Sequence, residues 1–122
     1  MNIKITTTNF EKTQAIEEYV MKKISSLEKF LKNGEQTLCE VELGKTTEHH
    51  KSGDIFRAEV NIVESGNTQT YAVAEEADLY AAIDIVRDEA ERGIVARKKK
   101  KETLFKRGAI KFKELLKRIH RD

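Results

Sequence analysis

Little in this sequence points to catalysis. One cysteine in 122 residues rules out an intrachain disulfide. Cys39 alternates with Val41 and Leu43, which is the pattern of a buried strand thiol. It has no electropositive neighbour in sequence that would make it a nucleophile. The spacings CxxC and HExxH are missing, so no metal ligand set is predicted. His49 and His50 stand side by side in a polar loop, and adjacent histidines cannot usually face one cation. No serine has a base at a known spacing. The six glycines are scattered rather than gathered into a phosphate-cradling loop. The expectation is a protein that is not an enzyme and uses no cofactor. No apolar run approaches the length of a membrane span. The opening Met-Asn-Ile-Lys-Ile lacks the hydrophobic stretch of a signal peptide, so a cytoplasmic location is expected. There is no internal repeat and no Gly/Ser-rich linker.

What the chain has in quantity is charge, 36% of its residues. The net of +2 conceals a division. Residues 1–91 carry 10 Lys/Arg against 18 Asp/Glu, a net of −8. Residues 92–122 carry 13 Lys/Arg against 3 Asp/Glu, a net of +10. Such an asymmetry predicts a polyanionic partner for the basic part. A chain of this length makes one domain with a real core.

The hydrophobic pattern predicts an α+β two-layer sandwich in the order β-α-β-β-β-α. A four-stranded sheet would carry both helices on one face. Residues 2–7 read as a strand. Thr8 and Asn9 read as a turn and helix N-cap. A helix is expected over 11–31, with Ile16, Val20, Ile24, Leu27 and Leu31 in its stripe and Tyr19 and Phe30 beside it. Asn33-Gly34 would end it, with glycine in the left-handed conformation. Strands are expected over 37–45, 54–64 and 68–75, where apolar and polar residues alternate as in antiparallel strands covered on one side. Ser65-Gly66-Asn67 reads as a hairpin turn.

The last helix is expected from Asp78, a good N-cap, to Lys101. Leu79, Ala82, Ile83, Val86, Ala90 and Ile94 form its stripe, and the stripe stops there. Arg97 to Lys101 is basic on every side, so those turns are expected to project into solvent. Residues 102–122 form a basic C-terminal tail. Phe105, Ala109, Phe112, Leu116 and Ile119 recur at helical spacing within it, and Gly108 weakens that pattern. A further helix and a solvated tail both remain open from the pattern alone.

The cluster from Arg92 to Arg107 is the strongest chemical feature, because no acid interrupts Arg97-Lys98-Lys99-Lys100-Lys101. Cations of one sign bind phosphates without reading base edges. Lys22 and Lys23 add positive charge on the first helix. A second class of partner, an anionic membrane surface or another structured RNA, would use the basic amphipathic segment 102–122.

The run Asp78-Leu79-Tyr80-Ala81-Ala82-Ile83-Asp84, after a strand ending Ala72-Val73-Ala74-Glu75, resembles the signature of the ribosome hibernation-promoting factor and ribosome-associated inhibitor family. Ile3-Lys4-Ile5-Thr6, Ala15-Ile16-Glu17-Glu18-Tyr19-Val20 and Leu27-Glu28-Lys29-Phe30 are similar to it too. The resemblance covers roughly residues 1–101, which makes that span the expected ribosome-binding domain. It implies a stress protein bound to rRNA in the decoding region of the small ribosomal subunit, where it blocks the tRNA and mRNA sites. It implies no small-molecule substrate, no membrane and a monomer off the ribosome. Lys23, Arg92, Lys98 and Lys100 match basic positions of the family pattern. Lys22, Arg97, Lys99, Lys101, Lys106 and Arg107 join the expected rRNA-binding set on charge and proximity. Where family members often carry Lys, this chain has Glu89, a departure expected either to weaken one phosphate contact or to move it to Arg87. The chain is too short for the extra C-terminal dimerisation domain of long members and so resembles the short type.

Overall fold

The computed structural model describes residues 1–32, 34–46, 53–65 and 68–120. Four strands form one sheet in the order β1-β2-β3-β4. They are β1 (Asn2–Thr8), β2 (Leu38–Thr46), β3 (Ile55–Glu64) and β4 (Thr68–Glu76). Two α-helices, α1 (Gln14–Ser25) and α2 (Leu79–His120), cover one face. The expected α+β order β-α-β-β-β-α is the order found.

β2, β3 and β4 pair antiparallel, as their alternation indicates. β1 instead runs parallel to β2, with Ile3 opposite Cys39 and Ile5 opposite Val41. A parallel pair needs a crossover connection, and α1 supplies it. Inward residues Cys39, Val41, Leu43, Ala58, Val60 and Ile62 are buried under the helices. The outward rows hold Glu40, Glu42, Glu59 and Glu75 against Lys4 and Arg57, so the open face is acidic.

α1 is shorter than the span 11–31 expected for it. Its N-cap is Thr13 rather than Thr8 or Asn9, because the Thr13 hydroxyl accepts from the Ile16 amide at 3.2 Å. Asn9 makes the preceding turn at φ 67°, and its side-chain amide donates to the Lys45 carbonyl at 3.1 Å. α1 ends at Ser25, after which Glu28–Phe30 form a 3-10 turn. The Ser26 hydroxyl donates to the Lys23 carbonyl at 2.5 Å and so takes an acceptor from the last turn. Ile16, Val20, Ile24, Leu27 and Leu31 are nonetheless all buried. Spacings of three and four suit an α-helix followed by a 3-10 turn as well as one long helix.

Gly34 begins a second 3-10 turn and does not take the left-handed conformation expected of it. Space explains the glycine: a Cβ there would lie 2.6 Å from Glu28 Cγ. Asn33, the His49-His50 pair and Gly66-Asn67 of the expected hairpin turn lie outside the described residues.

α2 begins as expected. The Asp78 carboxylate accepts from the Ala81 amide at 3.3 Å, and Leu79, Ala82, Ile83, Val86, Ala90 and Ile94 are buried. The helix does not stop at Lys101 but runs unbroken to His120, 42 residues in all. That is roughly 60 Å of helix at about 1.5 Å per residue. Ile94 is its last buried residue, and residues 98–119 are all exposed. No helix among the described residues is long and apolar enough to cross a membrane.

Candidate nucleic-acid interface

Two patches of cations lie on the helical layer. The first follows from the packing of α1 on α2. The Tyr19 hydroxyl donates to Asp84 Oδ1 at 2.5 Å, and its ring meets Tyr80 edge-on at 4.8 Å. That hydrogen bond, with burial and the Asp84 charge behind it, pushes the Tyr19 phenol up from 10.0 to about 12. Lys23 Nζ pairs with Asp84 at 3.4 Å and lies 5.6 Å from the centre of the Tyr19 ring. Lys22 is exposed beside it. One turn farther along α2, Arg87 Nε donates to Ser26 Oγ at 2.9 Å, while Nη1 donates to Glu91 at 2.7 Å and Asp88 at 3.1 Å. Burial alone would lower the pKa of that guanidinium, but the bonds to Glu91 and Asp88 more than offset it. Arg87 therefore clamps the end of α1 to α2 and has few donors left for a partner.

The second patch begins where α2 leaves the sheet. Gly93 allows the close approach, since a Cβ there would stand 2.9 Å from Thr70 Cγ2. Arg97 then turns back toward the strands. Its Nη2 donates to Glu64 Oε2 at 3.0 Å, and its Nη1 donates to the Gln69 carbonyl at 3.3 Å and to Thr70 Oγ1. Arg97 is thus a brace between helix and hairpin, unlike the solvent-facing cation its sequence neighbourhood suggests. Lys98, Lys99, Lys100 and Lys101 follow, fully on the surface. Lys98, Lys100, Lys101 and Lys32 line an open cleft of about 540 Å³ between the hairpin end and the helix. Lys32 was missed by the sequence reading because it is a lone lysine 66 residues from Lys98; only the fold brings them together.

The remaining expected residues extend this patch along α2. Arg92 is exposed, and Glu89, the acid that departs from the family pattern, takes its Nη1. Lys106 lies 3.6 Å from Glu102 across one turn, and Arg107 is exposed. The helical layer is therefore basic at its overhanging end and the open sheet face acidic. A polyanion would meet the first and be turned away by the second. Cys39, as expected, is buried; burial and the Glu40 charge push its thiol up from 9.0 to about 12.

The sequence profile of the sigma 54 modulation protein / S30EA ribosomal protein family matches residues 3–102. The chain belongs to that family. It is the ribosome-hibernation family that the Leu79–Asp84 run resembles. The chain is similar to the N-terminal domain of Protein Y from Thermus thermophilus, with 32% identity and a TM-score of 0.65. The match covers 77% of this chain and 96% of that one. A ribosomal subunit interface protein from Coxiella burnetii shares the fold, with 19% identity, a TM-score of 0.62, and coverage of 80% and 98%. No curated protein matches the chain. The family match ends at residue 102, so the basic tail lies beyond it.

Proposed function

We propose that the protein is a ribosome-associated translation inhibitor of the cytoplasm. It binds rRNA in the decoding region of the small subunit and keeps tRNA and mRNA from their sites. One observation carries this reading: the uninterrupted Lys98–Lys101 run is held on a rigid helix end, in a chain whose family and fold are those of ribosome-associated factors. Phosphates are gripped by Lys98, Lys99, Lys100 and Lys101, with Arg92, Lys106 and Arg107 along α2 and Lys22 and Lys23 on α1. Arg87 and Arg97 serve mainly to fix these cations in place. Such binding recognises backbone and shape, not base edges. It involves no reaction and no small-molecule substrate.

The test is co-sedimentation with purified small subunits over a salt series. Binding weakens steeply with salt, because each phosphate contact releases counterions. Replacing Lys98 to Lys101 by alanine flattens the log–log salt slope by up to about 3.6, at roughly 0.7–0.9 per lost contact. A variant with unchanged affinity and slope sinks the helix-end assignment. Failure of excess protein to compete with tRNA sinks the decoding-region assignment.

A further inference from the structure

The cleft between the hairpin end and α2 contains a group that phosphate binding cannot use. Lys98, Lys100 and Lys101 line the cleft from the helix, and Lys32 lines it from the segment that follows α1. Glu64, the last residue of β3, stands in the same wall, opposite Thr68 of β4. A carboxylate repels phosphate, so it subtracts from the attraction that the lysines supply. The fold does not use this acid fully either. A carboxylate offers about four acceptor positions. Arg97 Nη2 takes one of them, on Oε2 at 3.0 Å. Oε1 is buried and has no hydrogen-bond partner among the described residues. A buried acceptor left unpaired is destabilising, and a ligand that brings a donor relieves it. The last torsion of a glutamate side chain is broad, and either oxygen can face the guanidinium. Rotation about it turns the unused acceptor toward the cleft without releasing Arg97.

A ligand that suits this cleft is anionic at one end and a hydrogen-bond donor at the other. The volume of about 540 Å³ is more than a phosphate fills and falls within the roughly 300–1,000 Å³ of small-molecule sites. Leu104, 57% exposed, gives the lining an apolar surface on which a flat ring can lie. A nucleotide answers each of these features, with its phosphate for the lysines, the face of its base for Leu104 and the base edge for Glu64. The bases differ at that edge. Guanine presents two adjacent donors, N1–H and the N2 amino group, which meet a carboxylate side by side. Adenine and cytosine present an amino donor beside a ring acceptor, and uracil an imino donor between two carbonyls. In those three an acceptor is turned toward the carboxylate, which has no proton to give.

We propose that this cleft is a guanine nucleotide site, in which the lysines hold the phosphate and Glu64 holds the base edge. The inference deepens the rRNA-binding reading and rests on it. The lysine contacts carry no base information, and the cleft adds one position at which a base is read. An unstacked guanosine of the bound RNA and a free guanosine phosphate offer it the same chemistry.

Titration of the full chain at low salt, followed by the amide NMR shifts of Ser65, Thr68 and Lys98, tests this. The probes are guanosine, adenosine, cytidine and uridine monophosphates and inorganic phosphate. Guanosine monophosphate is expected to bind about tenfold more tightly than the others, toward the lower end of what a bidentate base contact discriminates. Glu64→Gln is expected to erase that preference and to raise the affinity for inorganic phosphate, because the repelling charge is gone. Equal affinities among the nucleotides, or between guanosine monophosphate and phosphate, would overturn the proposal. So would a guanine preference that survives in Glu64→Gln. The wild-type ranking decides the question even where the variant is too unstable to titrate. Short uridine oligomers with and without one central guanosine separate the two sources. A larger guanine preference in the oligomer than among the monophosphates assigns the site to RNA, and the reverse assigns it to a free nucleotide. Small-subunit binding that ignores salt defeats the phosphate reading and leaves the nucleotide ranking standing. An equal ranking with intact small-subunit binding defeats this inference alone.

Discussion

Replacing Arg97 by alanine should destabilise the domain through a carboxylate rather than through lost packing. Glu64 is the reason. Its side chain is 14% exposed, that of Arg97 is 28% exposed, and Nη2 to Oε2 is 3.0 Å. The second oxygen, Oε1, is buried and has no hydrogen-bond partner among the described residues. Exposed ion pairs contribute about 0–1 kcal/mol. Breaking a fully buried pair costs about 3–5 kcal/mol, because the survivor keeps its charge out of water. The Arg97 brace lies between these limits. Loss of the guanidinium also removes donors to Gln69 and Thr70. A cost of about 2 kcal/mol follows, or roughly 6–10 °C in melting temperature for a domain of this size.

The assay is thermal unfolding followed by circular dichroism, with Glu64→Gln made in both backgrounds to close a double-mutant cycle. In the Arg97→Ala background, Glu64→Gln should raise the melting temperature, since a neutral amide has no charge to strand. In the wild-type background it should lower it. A shift below about 2 °C for Arg97→Ala refutes the brace. So does a Glu64→Gln effect of the same sign in both backgrounds. Small-subunit binding, measured well below the melting temperature, separates the brace from a phosphate contact. Arg97→Ala is expected to flatten the salt slope far less than alanine at Lys98 to Lys101. An equal or larger loss of slope would make Arg97 a direct ligand.

Gly93→Ala gains about 1 kcal/mol of helix propensity, yet it should lower the melting temperature. The new Cβ meets Thr70 Cγ2 at 2.9 Å, and Thr70 cannot turn away without giving up its bond from Arg97. Leu27→Ala should cost about 2–5 kcal/mol in urea unfolding, because Leu27 is 0% exposed and sits where the chain leaves α1 for the 3-10 turn. Tyr19→Phe should be less stable than the wild type below pH 10. The folded phenol is pushed up from 10.0 to about 12, so the stability it contributes is complete below its unfolded value and is lost as pH rises through the folded one. Denaturation curves at pH 8 and near pH 12 should show the gap between the two proteins closing; a constant gap refutes the Tyr19–Asp84 bond. Cys39 shifts the same way, so Cys39→Ala should remove part of the alkaline loss of wild-type stability that begins near pH 9.

The parts of the fold legible in the sequence were those set by burial along one element. The stripe from Leu79 to Ile94 needed only a periodicity, and Asp78 only a cap. The alternation of Cys39, Val41 and Leu43 marked a strand with one wet face. Strand direction was not carried in that pattern: β1 alternates in the same way whether it lies parallel or antiparallel to β2. The end of α1 was hidden for a similar reason, since Leu27 and Leu31 keep helical spacing across a change of helix type. In the candidate site, the run Lys98 to Lys101 could be seen because its members are adjacent. The partners that distinguish one cation from the next could not. Arg97 meets Glu64 from 33 residues away, Arg87 meets Ser26 from 61, and Lys23 meets Asp84 from across the helix pair. Only the packing of α1, β3 and β4 against α2 reveals which arginines are already occupied.

That distinction bears on how the overhang works. A helix end that projects into solvent frays unless something fixes its base. Here Ile94 is the last buried side chain, and Arg97 ties the next turn to both strands of the hairpin. The lysines that follow therefore start from a fixed axis. Their separation from Lys22 and Lys23 on α1 is set by the Arg87 clamp at one end and the Arg97 brace at the other. Phosphates of a folded RNA are spaced rigidly, so a patch held in this way avoids the ordering cost that a flexible basic tail would meet on binding. If the lysine patch binds rRNA as proposed, the two arginines are expected to influence affinity by holding that patch in place. Loosening either one should lower the association of the whole patch, while the salt slope, which counts phosphate contacts, stays nearly constant.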